Sequence, residues 1–374
     1  MKVDQFKITK KEKYTRVSAR FTFVNPDLNK TVWFTLPTQI PTKSAVFDAF
    51  FILAVPLAYA LNEDLDFKGI VSTQLYRDIH KIKPFINQRK SEAHLKVVST
   101  QKRKKGPDAA GLFFSMGIDS FHSLLDASAR DANDNLTYLI FIKGCELYRS
   151  GSSFYTWLIS SLNKIAKATH ATLLIVETNL RDLTDQIMSW NYYHGAAIAG
   201  SGMFFSHVLS TLYISSCDEY LLDDPWGTAL RLDPLWSTEG VSIKTAGYPM
   251  IKVEKAEAIV KSPHRALALS HIWTCWKQPA HPEDRNCGRC EKCLRGLLCF
   301  KAVGYRENIP SFPPLTVSVM EKIDLRGGCL GTWQGIRNRL RRNGNLSPEL
   351  MKVLEKKIEN NKRWGWIEKI NLLQ

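Results

Sequence analysis

Cys275, Cys287, Cys290, Cys293 and Cys299 bring five of the chain's eight cysteines close together in sequence. The core of the cluster is Asn286-Cys-Gly-Arg-Cys-Glu-Lys-Cys-Leu-Arg295, a C-x-x-C-x-x-C run. Three thiols at that spacing can close around one ion on a tight turn, and Cys275 supplies a more distant fourth. Four thiolates in a tetrahedron suit Zn²⁺ best. Arg289, Lys292 and Arg295 favour thiolates over thiols. An iron–sulfur cluster and buried free thiols are the alternatives. Cys299 reads as a small apolar residue on a following helix. A closed four-thiolate site has no open position, so its expected role is folding rather than catalysis.

The second stretch able to do chemistry is Leu112-Phe-Phe-Ser-Met-Gly-Ile-Asp-Ser120. A short apolar strand runs into a small-residue turn at Gly117 and then into a helix. A helix start offers unpaired N–H groups and the positive end of the dipole. Gly117 lets the backbone approach a ligand closely, and Ser115 and Ser120 add hydroxyl donors. The turn is a candidate cradle for a pyrophosphate group; its plain alternative is a strand–helix junction with capping serines. No G-x-x-x-x-G-K-[ST] loop occurs, and no G-x-G-x-x-G follows a strand.

The elements around these residues divide the chain into segments 1–107, 108–304 and 305–374. In the first, Tyr14–Asn25 alternates as a strand, Asn25-Pro26-Asp27 turns, and Thr31–Leu36 returns, which makes a hairpin. Ser44 is placed to cap a helix through Ala54, with Pro56 kinking it or dividing it from Leu57–Leu61. His94–Ser99 reads as a short strand and Gln101–Pro107 as an exposed linker. In the second segment, apolar runs at Ala110–Phe114, Leu136–Ile142 and Ala171–Val176 alternate with helical patterns at Ser120–Leu125 and Phe154–Ala168. That alternation predicts an α/β domain with a parallel sheet covered on both faces. The third segment reads as helical and basic, with Ser347 and Pro348 opening a helix.

Hydrophobic residues make up 44% of the 374 and charged residues 23%, which excludes a disordered, collagenous or coiled-coil chain. The formal net charge is +15. It concentrates between Arg77 and Lys105 (ten Lys/Arg against two acids) and between Gly331 and Gln374 (ten against four). Such surfaces favour phosphate-bearing partners, nucleic acid among them, although solvated helical faces look the same. The first twenty residues lack an apolar signal region, and Ala45–Leu61 is interrupted by Asp48 and Pro56, so it reads as a buried helix and not a membrane span. A cytoplasmic location and metal-bound rather than paired cysteines are therefore expected.

In the middle of the α/β segment, Trp190-Asn-Tyr-Tyr-His-Gly195 leads into a close-packed helix start at Ala196–Gly202. Asp223-Asp-Pro-Trp-Gly227 and Asp233–Gly240 follow a strand expected at Tyr220–Leu222. Loops after parallel strands bind ligands in α/β folds. Trp226 and Trp236 could stack on a flat base, while Asp224, Asp233 and Glu239 could hold Mg²⁺ or ammonia. Turn chemistry and core packing explain the same residues. His194 and His264 read as structural histidines.

Ser115-Met-Gly-Ile-Asp-Ser120 resembles the S-G-G-x-D-S signature of the PP-loop ATP pyrophosphatases. The chain departs from it at Met116, where the family has its first glycine; a side chain there narrows the cradle or restricts the backbone. Cys275 with C-G-x-C-x-x-C-x-x-R resembles, among those enzymes, 7-cyano-7-deazaguanine synthase and its relatives. The likeness covers about Asp108 to Tyr305. It implies a Rossmann-like sheet of the adenine nucleotide alpha hydrolase type, an α+β segment before it, a zinc-binding segment at 275–293 and a helical C-terminal extension. It implies adenylation of a carboxylate by ATP with release of pyrophosphate, then attack by ammonia or another amine. Ser115, Met116, Gly117, Ile118, Asp119 and Ser120 would then surround the phosphates, with Ser115 and Asp119 catalytic. Asp119 would orient Mg²⁺ or cap the helix. Trp226, Asp233, Trp236 and Glu239 would face the substrate. The substrate would be a deazaguanine or, as in larger relatives in bacterial defence and biosynthetic clusters, a peptide or protein docked on the flanking segments. RNA modification, as in other PP-loop enzymes, and a non-catalytic zinc-containing nucleic-acid-binding module are the competing readings.

Overall fold

The computed structural model describes all residues except 38–40, 132–133, 147–150, 218–225, 278, 280, 326–329, 344–345 and 372–374, together with the side chains of 361–371. The chain packs as two compact units. The first comprises Met1–Phe114, Arg130–Arg149 and Ala166–Tyr248, and the second Ser115–Ala129, Ser150–Ile165 and Pro249–Gln374.

Among the described residues the first unit is built on one ten-stranded sheet. Its strands are β1 (Lys2–Lys10), β2 (Thr15–Thr22), β3 (Lys30–Leu36), β4 (Leu65–Ser72), β5 (Leu95–Gln101), β6 (Ala110–Phe113), β7 (Leu136–Lys143), β8 (Thr172–Thr178), β9 (Thr211–Ser215) and β10 (Ser242–Ala246). The spatial order is β10-β9-β6-β7-β8-β3-β2-β1-β4-β5. The run from β10 to β8 is parallel throughout. β6 is buried along its whole length, as a central parallel strand with both faces covered must be.

The expected hairpin is present: β2 and β3 pair antiparallel from Thr15↔Leu36 to Phe21↔Lys30. Asn25 caps the short 3-10 turn Pro26–Leu28 that joins them. The expected boundary at Pro107 falls between β5 and β6, and the sheet runs on past it. β3 joins β8 antiparallel at Phe34↔Thr178 and Thr35↔Glu177. Side chains reinforce the joint: Trp33 N donates to Asn179 Oδ1 at 2.9 Å and Thr178 Oγ1 donates to Trp33 O at 2.8 Å. No local pattern marks this pairing, because the partners lie in different segments of the sequence.

Helix Lys43–Leu61 is continuous, and Pro56 lies inside it instead of dividing it. Thr42, not Ser44, is the cap: its Oγ1 accepts from Ala45 N at 3.2 Å. The helix has the length and mean hydropathy, 1.9, of a membrane span, but most of it is buried inside this unit. It packs on helix Trp190–Met203, where Tyr193 donates its hydroxyl to Leu53 O at 2.8 Å. That second helix starts at Trp190 with Ser189 as cap, several residues earlier than expected. Phe50 packs edge-on against Phe21, Phe34 and Phe204, and Phe34 is tilted against Phe204, with centroids 5.0–6.2 Å apart. The strand expected at Tyr220–Leu222, with Asp223 and Asp224, lies outside the described residues.

The second unit is helical. Helix Lys252–Lys261 packs against both Ile118–Leu125 and Glu291–Ala302, and Leu330–Asn343 packs against Glu291–Ala302 and Pro348–Asn371. Trp333, Ile336 and Leu340 form the buried stripe of helix Leu330–Asn343 at i, i+3 and i+7. Ser347 and Pro348 open the last helix as the sequence implies; Ser347 O accepts from Met351 N at 2.9 Å.

Candidate functional site

The turn from β6 into helix Ile118–Leu125 has the strand–loop–helix form expected of an anion cradle. Gly117 is the helix N-cap residue, and its carbonyl accepts from Phe121 N at 2.9 Å. The amides of Ile118, Asp119 and Ser120 precede the first helical bond, and among the described residues they have no partner. Ser120 Oγ donates to Gly117 O at 3.0 Å and lies 3.4 Å from Ser115 Oγ. Ser115 itself is exposed. Three free amides and an exposed hydroxyl at a positive helix end are the equipment for binding an anion.

The backbone strain of the turn sits on Met116, at φ 62°, and not on Gly117, at φ −76°. A methyl group on Gly117 would meet only ordinary contacts, Ser115 Oγ at 3.4 Å and Trp273 O at 3.9 Å. The left-handed conformation costs a non-glycine residue roughly 1–2 kcal/mol. It is held in place because Met116 is fully buried and its carbonyl accepts from Trp273 N at 2.9 Å. The Met116 side chain is thus packed into the protein, and of the two effects expected of it the turn shows the restricted backbone and not a narrowed solvent side.

Asp119 is the charged centre of the turn. Lys255 Nζ lies 3.1 Å from Asp119 Oδ1, and Lys252 Nζ binds Asp119 Oδ2. Both lysines come from helix Lys252–Lys261, which Glu254 caps by accepting from Ile251 N at 3.0 Å. Lys255 is fully buried. Burial alone would raise the Asp119 carboxyl, but the two ammonium groups outweigh it and hold the acid far below the usual carboxylate range. The next turn of the helix carries His122, also fully buried, with Nε2 3.4 Å from Asp126 Oδ2. Burial, helped by Lys255, lowers its pKa and keeps the imidazole neutral. Asp119, Lys252 and Lys255 therefore form one charged cluster beside the amides. Sequence reasoning missed both lysines.

The four cysteines singled out by spacing converge. The sulfurs of Cys275, Cys287, Cys290 and Cys293 all lie within 4.8 Å of one another. Cys275–Cys290 is 3.8 Å and Cys287–Cys293 is 4.0 Å. A tetrahedral zinc site with metal–sulfur bonds of about 2.3 Å requires sulfurs about 3.8 Å apart. The donor set and its spacing thus fit Zn²⁺ and leave no open position.

The knuckle is built to hold this shape. Gly288 has φ 61°, and a methyl group on it would strike Pro313 Cγ at 2.4 Å. Cys290 caps helix Glu291–Ala302, with its sulfur accepting from Cys293 N at 3.5 Å. Buried Asn286 ties the two arms together. Its Oδ1 accepts from Thr274 N and Cys275 N, and its Nδ2 donates to Ile272 O and Ser311 O. Hydrogen bonds from the Cys290 and Cys293 thiols lower the Cys275 thiol and favour its thiolate. Cys299 is buried on the following helix, outside the group.

The residues expected to face a substrate are placed otherwise. Trp236 is fully buried in the core. Asp233 is fully buried and accepts from Ala229 N and Thr245 Oγ1, both at 3.1 Å. Glu239 accepts from Ser72 Oγ at 2.8 Å, Gln74 N at 2.9 Å and Arg103 N at 3.2 Å. These three serve the first unit's own packing and share no single site. Trp226 is half-buried, edge-on to His194 at 5.5 Å. His194 is the structural histidine expected, with Nδ1 3.1 Å from Trp190 O and Nε2 3.2 Å from Thr228 Oγ1.

Short stretches of the chain are similar to several curated proteins. A 7-cyano-7-deazaguanine synthase of Campylobacter jejuni subsp. jejuni is 32% identical over 69 residues, which is 18% of this chain and 28% of the relative. One of Chlorobium phaeovibrioides is 33% identical over 70 residues, 19% and 28% respectively, and one of Campylobacter hominis is 29% identical over 62, 17% and 26%. The chain thus spans about a quarter of the length of the curated relatives it matches. No family model and no solved structure matches it. The relationship to these synthases is distant and partial.

Proposed function

We propose that the chain is an ATP-dependent, C–N bond-forming enzyme that activates a carboxylate by adenylation. A substrate carboxylate oxygen attacks the α-phosphorus of ATP, the bond to the β-phosphate bridging oxygen breaks, and pyrophosphate leaves. Ammonia or another amine then attacks the acyl carbon and AMP departs. The observation that carries this reading is the turn Ser115–Ser120, whose three unpaired amides adjoin the ammonium groups of Lys252 and Lys255. Donors preset where negative charge develops on a leaving pyrophosphate lower the barrier, because no reorganisation is needed during reaction. The partial likeness to 7-cyano-7-deazaguanine synthases supports the same chemistry, with a deazaguanine carboxylate or a peptide or protein carboxylate as substrate.

The cysteine quartet would hold zinc as a staple for the helical unit, with no part in bond making. The expectation that Asp119 orients Mg²⁺ does not fit its surroundings. Two ammonium groups already neutralise this carboxylate, and a dication would have to displace them.

Pyrophosphate release from ATP, measured with and without 7-carboxy-7-deazaguanine and candidate peptides, tests the reading. Carboxylate-dependent release that falls about 100-fold or more in Ser115→Ala or Lys252→Ala supports it. Absence of release with every carboxylate, together with salt-sensitive RNA binding, would replace it with the nucleic-acid-binding reading.

A further inference from the structure

A cavity of about 410 Å³ in the first unit contains no residue of the Ser115–Ser120 turn and neither Lys252 nor Lys255. Its volume is within the roughly 300–1,000 Å³ of small-molecule sites. Lys102, Lys104 and Lys105 line it from one side, with Ser44, Ser206 and His207 among the remaining wall. Among the described residues these three lysines have no hydrogen bond and no ion pair. The cavity's single acid, Asp48, is already taken: Arg103 donates to its two oxygens at 2.7 and 2.9 Å, and Ser72 N at 2.7 Å. Three lysines with no acidic partner among the described residues therefore border one concave space, and a concave, one-signed wall focuses field.

A lysine-rich loop is ordinarily a solvated surface, but this one is pinned. Arg103 N donates to Glu239 Oε2, and its guanidinium donates to Ile70 O at 2.7 Å. Gly106 N donates to Gly240 O at 3.2 Å. A methyl group on Gly106 would come within 2.3 Å of Leu209 O, so the chain runs directly against its neighbour there. The backbone that carries the lysines is thus fixed before any ligand arrives, which removes part of the ordering cost of binding. The start of helix Lys43–Leu61 adds Thr42 and Ser44 to the wall, with the positive end of a nineteen-residue dipole behind them.

We infer that this cavity is a second anion site, separate from the Ser115 turn, and that it takes a small polyphosphate-bearing molecule such as a nucleoside polyphosphate or pyrophosphate. The half-open cavity of about 410 Å³ is sized for a compact anion, whereas a nucleic-acid strand would extend well beyond it. Calorimetric titration of the full chain with inorganic triphosphate tests it, alongside Lys102→Ala/Lys104→Ala/Lys105→Ala and Ser44→Asp. An aspartate in the first turn of the Lys43–Leu61 helix suits the dipole, so this second variant keeps or raises the thermal midpoint while repelling phosphate. The wild type is expected to bind two equivalents, and both variants one, with the lost site at least tenfold weaker. Nucleoside triphosphate and free pyrophosphate, titrated in the same way, identify which ligand fills the site. One equivalent in all three chains, or none, overturns the inference. So does triphosphate binding unchanged in both variants while a single-stranded RNA loses affinity in them, which would make the lysines a nucleic-acid contact.

Discussion

Asp119 and Lys255 stand 136 positions apart in sequence, yet their charged atoms lie 3.1 Å apart, with the lysine fully buried. The pair ties the turn after β6 to helix Lys252–Lys261. It fixes the amides of the turn and two ammonium groups in one place.

Asp119→Asn should cost about 3–5 kcal/mol, because it removes the carboxylate from a buried ammonium. The folded pKa of Asp119 lies below its unfolded value of about 3.9, so the pair's contribution is complete above that pH. It is lost as pH falls through the folded value. Urea unfolding of wild type and variant at pH 7 and pH 3 should show a gap that narrows in acid. A gap independent of pH would remove the charge pair as its cause.

Met116→Gly should destabilise the chain by about 1–3 kcal/mol. Loss of a fully buried side chain costs about 2–5 kcal/mol, offset by roughly 1–2 for relieving the left-handed backbone. ATP affinity should stay within about threefold of wild type. Tightening of tenfold or more, measured by calorimetry, would mean that the side chain does obstruct the cradle.

Metal analysis of the purified chain should give one zinc per molecule and no iron. Cys290→Ser should lower the thermal midpoint, and a chelator should lower it in the wild type but add little in the variant, because both remove the same staple. Iron in stoichiometric amount would instead support a cluster and the RNA-modification reading.

Arg103→Ala should cost about 3–5 kcal/mol at pH 7 by leaving Asp48 buried without its guanidinium. Burial already raises the Asp48 carboxyl, against the opposing pull of Arg103. A carboxyl raised in the folded state takes up protons on folding, so the variant should lose stability as pH rises from 4 to 7. Adding Asp48→Asn should restore most of the loss. Failure of the second change to rescue would assign the defect to the loop hydrogen bonds rather than the charge pair.

The features that depend on near neighbours could be read from the sequence alone. Alternation at Val17, Ala19 and Phe21 with an Asn-Pro-Asp turn specified the β2–β3 hairpin, because strand pairing across a short turn is a local event. The buried run Ala110–Phe114 followed by a small-residue turn specified β6 and the helix after it. Cysteine spacing brought Cys287, Cys290 and Cys293 onto one knuckle, since six residues of chain cannot spread them far. β1, with its frequent lysines, and the short β9 and β10 carried too weak a pattern to be recognised.

What packing over long separations decides was hidden. The β3–β8 pairing carries the sheet across the expected boundary at Pro107, and only strand edges meeting in space determine it. The burial of Trp236 and Asp233, and the hydrogen bonds that occupy the Glu239 carboxylate, turned candidate ligand groups into supports for the fold. Lys252 and Lys255 look like ordinary helix-surface charges until the helix is packed against the Ser115 turn. Their attraction to Asp119 is electrostatic and falls off with distance in space, to which distance along the chain is no guide.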